Sequence, residues 1–311
     1  DGHTEYPPRY VALGVERLAR GGTRWVSGPP IPLGRGAVSR AVALALSTPL
    51  GRGGSRKWAS EPTDDHEYEL DAGVFAGVWE RATVLEYGGW DERWLRNQDS
   101  EMAGRFQARG EQLICLPGMA SHYLPRDSLA ALWRQYRQYG EFREMTAVRH
   151  PRTMRLSHLM PPALVATVAA AVAGPGAPTR KLSRGALALY GAVLAAGGVH
   201  AARAAQQRRD ARLVPVVLAV MHLAHGTGAW IGAARHGAPL AGIASVLRLP
   251  GLAERLAPAP TEVYAPSLRE VATTPLSLVP PLDRKPDGRH RGAVDLQARR
   301  APGEPPPPRA A

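Results

Sequence analysis

Cysteine is almost missing from this chain of 311 residues. Cys115 stands alone, which excludes an intrachain disulfide and any multi-cysteine metal site and leaves a buried thiol as its reading. Lysine is nearly as scarce: Lys57, Lys181 and Lys285 are the only lysines among 39 basic residues, so arginine carries the net charge of +12. Aromatics reach 6%, with three phenylalanines. The opening Asp1-Gly-His-Thr-Glu-Tyr-Pro-Pro8 has neither a basic start nor an apolar stretch, so it is not read as a secretory signal. It also lacks an initial Met, as a fragment or processed segment would.

The most telling shortage is of acidic residues. Between Met145 and Ala253 only Asp210 is acidic. Three stretches there carry no charge, 156–179, 185–202 and 213–234, each bounded by Arg or Lys. Their lengths approach the roughly 20 residues that cross a hydrocarbon core of about 30 Å. A soluble Ala-rich bundle would spread Asp and Glu over its exposed faces, so membrane helices are the preferred reading. Both basic connections, Arg180/Lys181/Arg184 and Arg203/Arg208/Arg209/Arg212, can meet anionic lipid head groups. The second is slightly richer, which puts it and the N-terminal domain on the cytoplasmic side. No nucleic-acid-binding fingerprint is present, so nucleic acid is not expected as a partner.

What is there is an apolar fraction of 44%, enough for a core, with 33 Gly and 29 Pro that leave part of the chain unpacked. Residues 1–150 read as alternating α and β elements, hence an α/β layer. Pro8 opens a helix whose face carries Val11, Val15 and Leu18, and a short strand follows around Arg24–Val26. A helix is expected near Val38–Leu46. Another runs from Ser100 with Met102 and Phe106 on one face and stops at Gly110. Leu113–Leu116 is a buried strand. Asp127 or Ser128 caps a helix with Leu129, Leu132, Trp133, Tyr136 and Tyr139 on its apolar face. Residues 151–235 form the membrane region, with helices at 156–174, 185–202 and 213–234. Residues 236–311 form a Pro/Arg-rich, largely disordered tail, within which Leu240–Leu249 can lie on the membrane surface.

Four groups of residues stand in a meaningful order: Asp1-Gly-His3, Gly88-Gly-Trp-Asp91, Asn97-Gln-Asp-Ser-Glu101, and Arg126-Asp-Ser-Leu129 leading to Gln135-Tyr-Arg-Gln-Tyr139. Over roughly residues 1–235 this set resembles the family 2 glycosyltransferases, inverting hexosyltransferase-type enzymes of the Rossmann-like GT-A fold. It is most similar to membrane-associated bacterial members of succinoglycan and exopolysaccharide assembly, in which a few transmembrane helices follow the catalytic domain. The family's nucleotide-binding strands would precede Asp1, so the resemblance implies the C-terminal part of such a domain, one that binds its donor weakly by itself.

The resemblance implies roles. Asp1 and His3 match the element that holds a divalent cation, Mn²⁺ or Mg²⁺, against a leaving nucleoside diphosphate; imidazole favours Mn²⁺. Asp99 matches the general base, which takes the acceptor's proton as its oxygen attacks the anomeric carbon. At a helix start, the dipole would keep Asp99 ionised. Glu101 is the competing candidate, although at its place in the helix it suits a backbone or arginine contact better. Asp71 falls in the acceptor-lining segment, with Ala72 where the family has threonine; a solvated strand-edge aspartate is the other reading. Asp91 and Trp94 follow a Gly-Gly turn that either serves as an acceptor platform or is structural. Gln135 opens a departure from the Gln-x-x-Arg-Trp motif of processive members, with Gln138 and Tyr139 in place of Arg and Trp, which argues for transfer of single sugars. Arg126 and Arg143 are phosphate or interfacial candidates. His222 and His225 are too few for a metal and read as interhelical packing. The implied partners are a nucleotide-sugar donor, a lipid-linked or polysaccharide acceptor, and membrane lipids. The alternative is a non-catalytic membrane scaffold that retains a remnant transferase domain.

Overall fold

The computed structural model describes residues 4–58, 66–74, 76–203, 205 and 207–258. Asp1, His3 and the tail from 259 onward lie outside the described residues. The described residues all fall within one compact unit, mixed α/β in its first half and helical in its second. In chain order the elements are β1 (Thr4–Glu5), α1 (Tyr10–Ala19), β2 (Trp25–Ser27), β3 (Pro30–Pro32), α2 (Ala37–Ser47), α3 (Pro49–Arg52), β4 (Tyr68–Glu69), β5 (Gly77–Val78), α4 (Arg81–Glu86), α5 (Gln98–Ala108), β6 (Leu113–Cys115), β7 (Ser121–Tyr123), α6 (Leu129–Arg149), α7 (Leu156–Ala173), α8 (Gly176–Ala202), α9 (Arg208–Ala211), α10 (Val214–His236), α11 (Leu240–Val246) and α12 (Pro250–Leu256).

The strands form two small sheets, ordered β1-β7-β3 and β4-β6-β2-β5. β2 runs parallel to β6 and β3 parallel to β7, so the sheets are two halves of one bent parallel pair, with antiparallel strands at the edges. Gly28 sits at the bend, where a Cβ would overlap the Met119 carbonyl. β2 and β6 are apolar because they are covered: Trp25, Leu113 and Cys115 pack with Met102 and Phe106 of α5 and with Tyr87 and Leu70. The thiol of Cys115 is free and buried.

α2 and α5 follow their apolar spacing, and Ser128 caps α6 by accepting from the Ala131 N–H at 3.2 Å. α1 does not follow its spacing. Its buried residues are Tyr10 and Gly14, while Val11 is 64% and Val15 54% exposed. Gly14 packs flush on Val78, and the Tyr10 hydroxyl donates to the Ala76 carbonyl. A glycine that allows close approach, together with a tyrosine that has a polar partner, outcompetes two valines for the inner face.

Three helical segments are long and apolar enough to cross a membrane: Leu156–Ala173, Gly176–Ala202 and Arg208–His236. The basic cluster expected between the first two lies instead inside α8, because Pro175 starts the helix early. There Arg180 donates to the Gly174 carbonyl at 3.0 Å and Arg184 to the Ala171 carbonyl at 3.2 Å, satisfying the C-terminal end of α7. α2 and α6 join α8 and α10 in a single core that includes Ala41, Leu46, Leu132, Leu194, Leu218 and Met221, so packing is continuous across residue 150. His222 bonds the Tyr190 hydroxyl at 2.9 Å and the Leu50 carbonyl at 3.1 Å, an interhelical role.

Candidate active site

α5 begins after Asn97, whose left-handed backbone (φ 65°) turns the chain sharply into the helix. Asp99 is therefore the second helical residue. Its backbone N–H bonds its own carboxylate, and the Trp90 side chain donates to it. Burial nevertheless raises its affinity for a proton, and Lys57 pulls it only partly back. Desolvation outweighs these partners, so the proton affinity of Asp99 lies above its ordinary value. A carboxylate with raised proton affinity is a stronger base.

Asp99 opens onto a cavity of about 420 Å³ lined by Tyr6, Trp79, Trp90, Asp91, Glu92, Trp94, Gln98 and Asp99. The left-handed glycines Gly88 (φ 82°) and Gly89 (φ 66°) turn the chain so that Trp90 faces the cleft. Trp79 and Trp90 meet edge to face at 5.3 Å, and Trp79 meets Trp25 in the same way at 4.9 Å. Trp90 remains 39% exposed and Tyr6, just beyond β1, 42%. Exposed indole and phenol faces beside carboxylates can pack on the C–H faces of a pyranose and bond its hydroxyls. Gly73 brings the Asp71 segment against this point, because a Cβ there would overlap the Asp99 carbonyl. Asp71 lies past the end of β4 and pairs with Arg155 at 2.9 Å.

Other candidates are engaged differently. Asp91 borders the cleft but is 1% exposed and paired with Arg93 at 2.6 Å and Arg149 at 3.3 Å. Burial pushes its carboxyl up, and the two arginines outweigh this and hold it below its ordinary range. Trp94 is 5% exposed and donates to the Thr146 hydroxyl at 3.0 Å. The turn thus docks on α6 through Asp91 and Trp94 and leaves Trp90 as its exposed ring. Glu101 is fully buried among Arg105 at 2.8 Å, His150 at 3.2 Å and Arg149 at 3.6 Å. Burial pushes Glu101 up too, but His150 and Arg105 hold it below its ordinary range. Its oxygens are occupied by Arg105, Arg149 and the His150 ring.

The Gln135 amide donates to the Tyr123 and Tyr139 hydroxyls at 3.2 and 3.0 Å. Arg126 sits half-buried near Tyr139, and Arg143 is buried. Among the described residues no group of three or more His, Cys, Asp and Glu could hold a metal ion. The two expected ligands, Asp1 and His3, lie outside those residues. Sequence reasoning missed Tyr6, Trp79 and Lys57. Each is single and belongs to no spaced pattern, and only folding brings them beside Asp99.

A partly desolvated carboxylate at the start of a helix thus lies under a wall of indoles. The chain is 26% identical over 237 residues to the succinoglycan biosynthesis protein ExoA of Rhizobium meliloti (strain 1021), a match covering 74% of this chain and 67% of ExoA. No family model matches the chain.

Proposed function

We propose that this protein is an inverting, family 2-type glycosyltransferase that moves one sugar from a nucleoside-diphosphate donor to a lipid-linked or polysaccharide acceptor during exopolysaccharide synthesis. The observation that carries the reading is Asp99, a carboxylate with raised proton affinity on the aromatic cleft; the similarity to a succinoglycan biosynthesis protein supports it. In this reading the acceptor sugar rests on Trp90 and Tyr6 with a hydroxyl against Asp99. The acceptor oxygen bonds the anomeric carbon as the bond from that carbon to the diphosphate oxygen breaks, and the hydroxyl proton passes to Asp99. The apolar segments anchor the protein in the membrane and hold the cleft at its cytoplasmic face. A divalent cation at Asp1 and His3 belongs to the same proposal.

The test is Asp99→Asn in the full-length protein, with radiolabelled nucleotide sugars and membrane extract as acceptor. The substitution keeps the shape and removes the proton acceptor, so turnover should fall by about 10²–10⁴-fold while donor affinity stays within about twofold. Near-normal turnover in Asp99→Asn would refute the assignment.

A further inference from the structure

α10 has the length and hydropathy of a membrane crossing, yet both of its ends are fastened to the part of the protein that carries the cleft. Just before it, the buried Asp210 binds Arg40 of α2 with both oxygens, at 2.7 Å to Nε and 3.3 Å to Nη2. Val214, Val217 and Leu218 in its first turns share one core with Ala41, Val42 and Ala45 of α2. Near its end, Trp230 Nε1 donates at 3.0 Å to the Pro162 carbonyl in the second turn of α7, and Arg235 pairs with Glu141 of α6 at 2.6 Å. The chain then turns back. α11 lies on residues 151–154, which lead into α7: a Cβ on Gly242 would stand 2.8 Å from Met154 Sδ and 3.3 Å from the Pro151 carbonyl.

This return limits how many crossings are possible. A chain that enters a bilayer at the start of α7 and crosses it three times emerges on the far face, about 30 Å of hydrocarbon from its entry. Gly242 instead touches the chain just before that entry, so the number of crossings between them is even. α6 leads to the same count. It runs beside α10 and carries Arg134, Arg137, Glu141, Arg143 and Glu144. α10 could span the hydrocarbon only by drawing those charges in with it, and charge inside a membrane is costly. α7 and α8 supply the even pair. Residues 175–178 at their connection are exposed, whereas the far end of α8 comes back to the body of the protein, where Leu194 and Ala201 join the core of α2 and Gly198 packs on Pro215 at the start of α10.

We infer that α7 and α8 cross the membrane as a hairpin, out and back, while α10 begins and ends on the face that carries the cleft, so that α11 and α12 lie on that face as well. Leu247, Leu249, Leu252 and Leu256 are exposed there with Arg248 and Arg255 among them, a combination that suits a leaflet of anionic lipid beside the entry of α7. The name cytoplasmic for that face rests on the transferase reading; which elements share the face does not.

The experiment is cysteine labelling of the full-length protein in sealed membrane vesicles, right-side-out and inside-out, with a maleimide that does not cross lipid. Cys115 is buried, so the wild type supplies the blank. Ala12→Cys on α1 marks the face of the cleft and Ala177→Cys marks the α7–α8 connection. Ser245→Cys on α11 and Ala257→Cys just past α12 report the side reached after α10; all four positions are exposed. Ser245→Cys and Ala257→Cys should react from the same side as Ala12→Cys, and Ala177→Cys from the other. Reaction of either from the side of Ala177→Cys makes α10 a crossing and overturns the inference. Ala177→Cys reacting from the side of Ala12→Cys overturns it as well, since the hairpin then does not cross. Thiols at 245 and 257 that react from neither side until detergent is added would place α11 and α12 within the bilayer and overturn it too. Labelling requires no sugar transfer, so the transferase reading can fail with this topology intact, and the topology can fail with transfer intact.

Discussion

Glu101→Gln separates a structural carboxylate from a catalytic one. Glu101 has no exposed surface; Arg105 reaches it at 2.8 Å from Nη2 and at 3.1 Å from Nε to both oxygens, and His150 Nε2 adds a contact at 3.2 Å. Arg105 is 8% exposed and also donates to the Tyr87 and Gly89 carbonyls, so it cannot swing into water when its partner is neutralised. Removing one member of a buried ion pair costs about 3–5 kcal/mol, because the remaining charge stays buried. Gln keeps an acceptor oxygen, which places this substitution at about 3 kcal/mol. For a unit of this size that is a drop of roughly 6–12 °C in Tm. The assay is thermal unfolding of the detergent-solubilised protein by far-UV circular dichroism. Glu101→Gln should melt early, while Asp99→Asn, which removes a charge that burial disfavours, should not. An unchanged Tm for Glu101→Gln together with lost transfer would show that the ion pair is not what Glu101 is for, and would make it the base in place of Asp99.

Further outcomes follow from the same geometry. Trp90→Phe keeps a ring at the cleft and removes the hydrogen bond that lowers the Asp99 proton affinity; the acid limb of the rate–pH profile should move to higher pH, and Trp90→Ala should in addition raise the acceptor KM about tenfold. Gly140→Ala puts a Cβ into the His225 carbonyl and should cost at least about 3 kcal/mol in chemical denaturation, because backbone on both sides has to part. Burial pushes Glu144 up to about 7 from an unfolded value of 4.5. The stability that its protonated form contributes is therefore full below pH 4.5 and lost as pH rises through 7, so Glu144→Gln should gain about 2 kcal/mol on wild type between pH 5 and pH 8, read from urea unfolding at each pH.

Local signals were legible wherever burial and periodicity coincide. Met102 and Phe106, four apart and ended by Gly110, gave α5, and the apolar run 113–116 gave the covered strand β6. The position of Asp99 at the start of α5 was readable too, but its proton affinity was not, since that depends on Trp90, nine residues away, and Lys57, 42 away. Val11 and Val15 misled because spacing identifies an apolar face without saying which face finds a partner. Glu101 was legible as an arginine contact and meets Arg105, whereas for Asp91 and Trp94 the spacing left platform and structural turn open, and their groups meet Arg149 and Thr146 of α6. A contact between that turn and α6 leaves no trace in the spacing of either.

The three apolar segments show the same limit, and here it bears on the site. Their best windows have mean hydropathies of 1.6, 1.5 and 1.4, which no composition argument can tell apart, yet they bury 6%, 17% and 44% of those windows inside the protein. α7 and α8 present Met160, Val172, Leu182 and Leu189 outward, surfaces that suit lipid. α10 is different because of its glycines. A Cβ at Gly228 would overlap the Arg137 carbonyl, and Gly232 lies close against Glu141 and Glu144, so α10 runs parallel to α6 with its backbone nearly touching. Arg235 then closes the pair on Glu141 at 2.6 Å. α6 carries Arg143 and, through Thr146 and Arg149, holds Trp94 and Asp91 beside the cleft. The third segment is therefore part of the protein's own core. Its small residues set how closely α6 approaches the apolar bundle, and with it the distance between the aromatic wall and Arg155 at the start of α7.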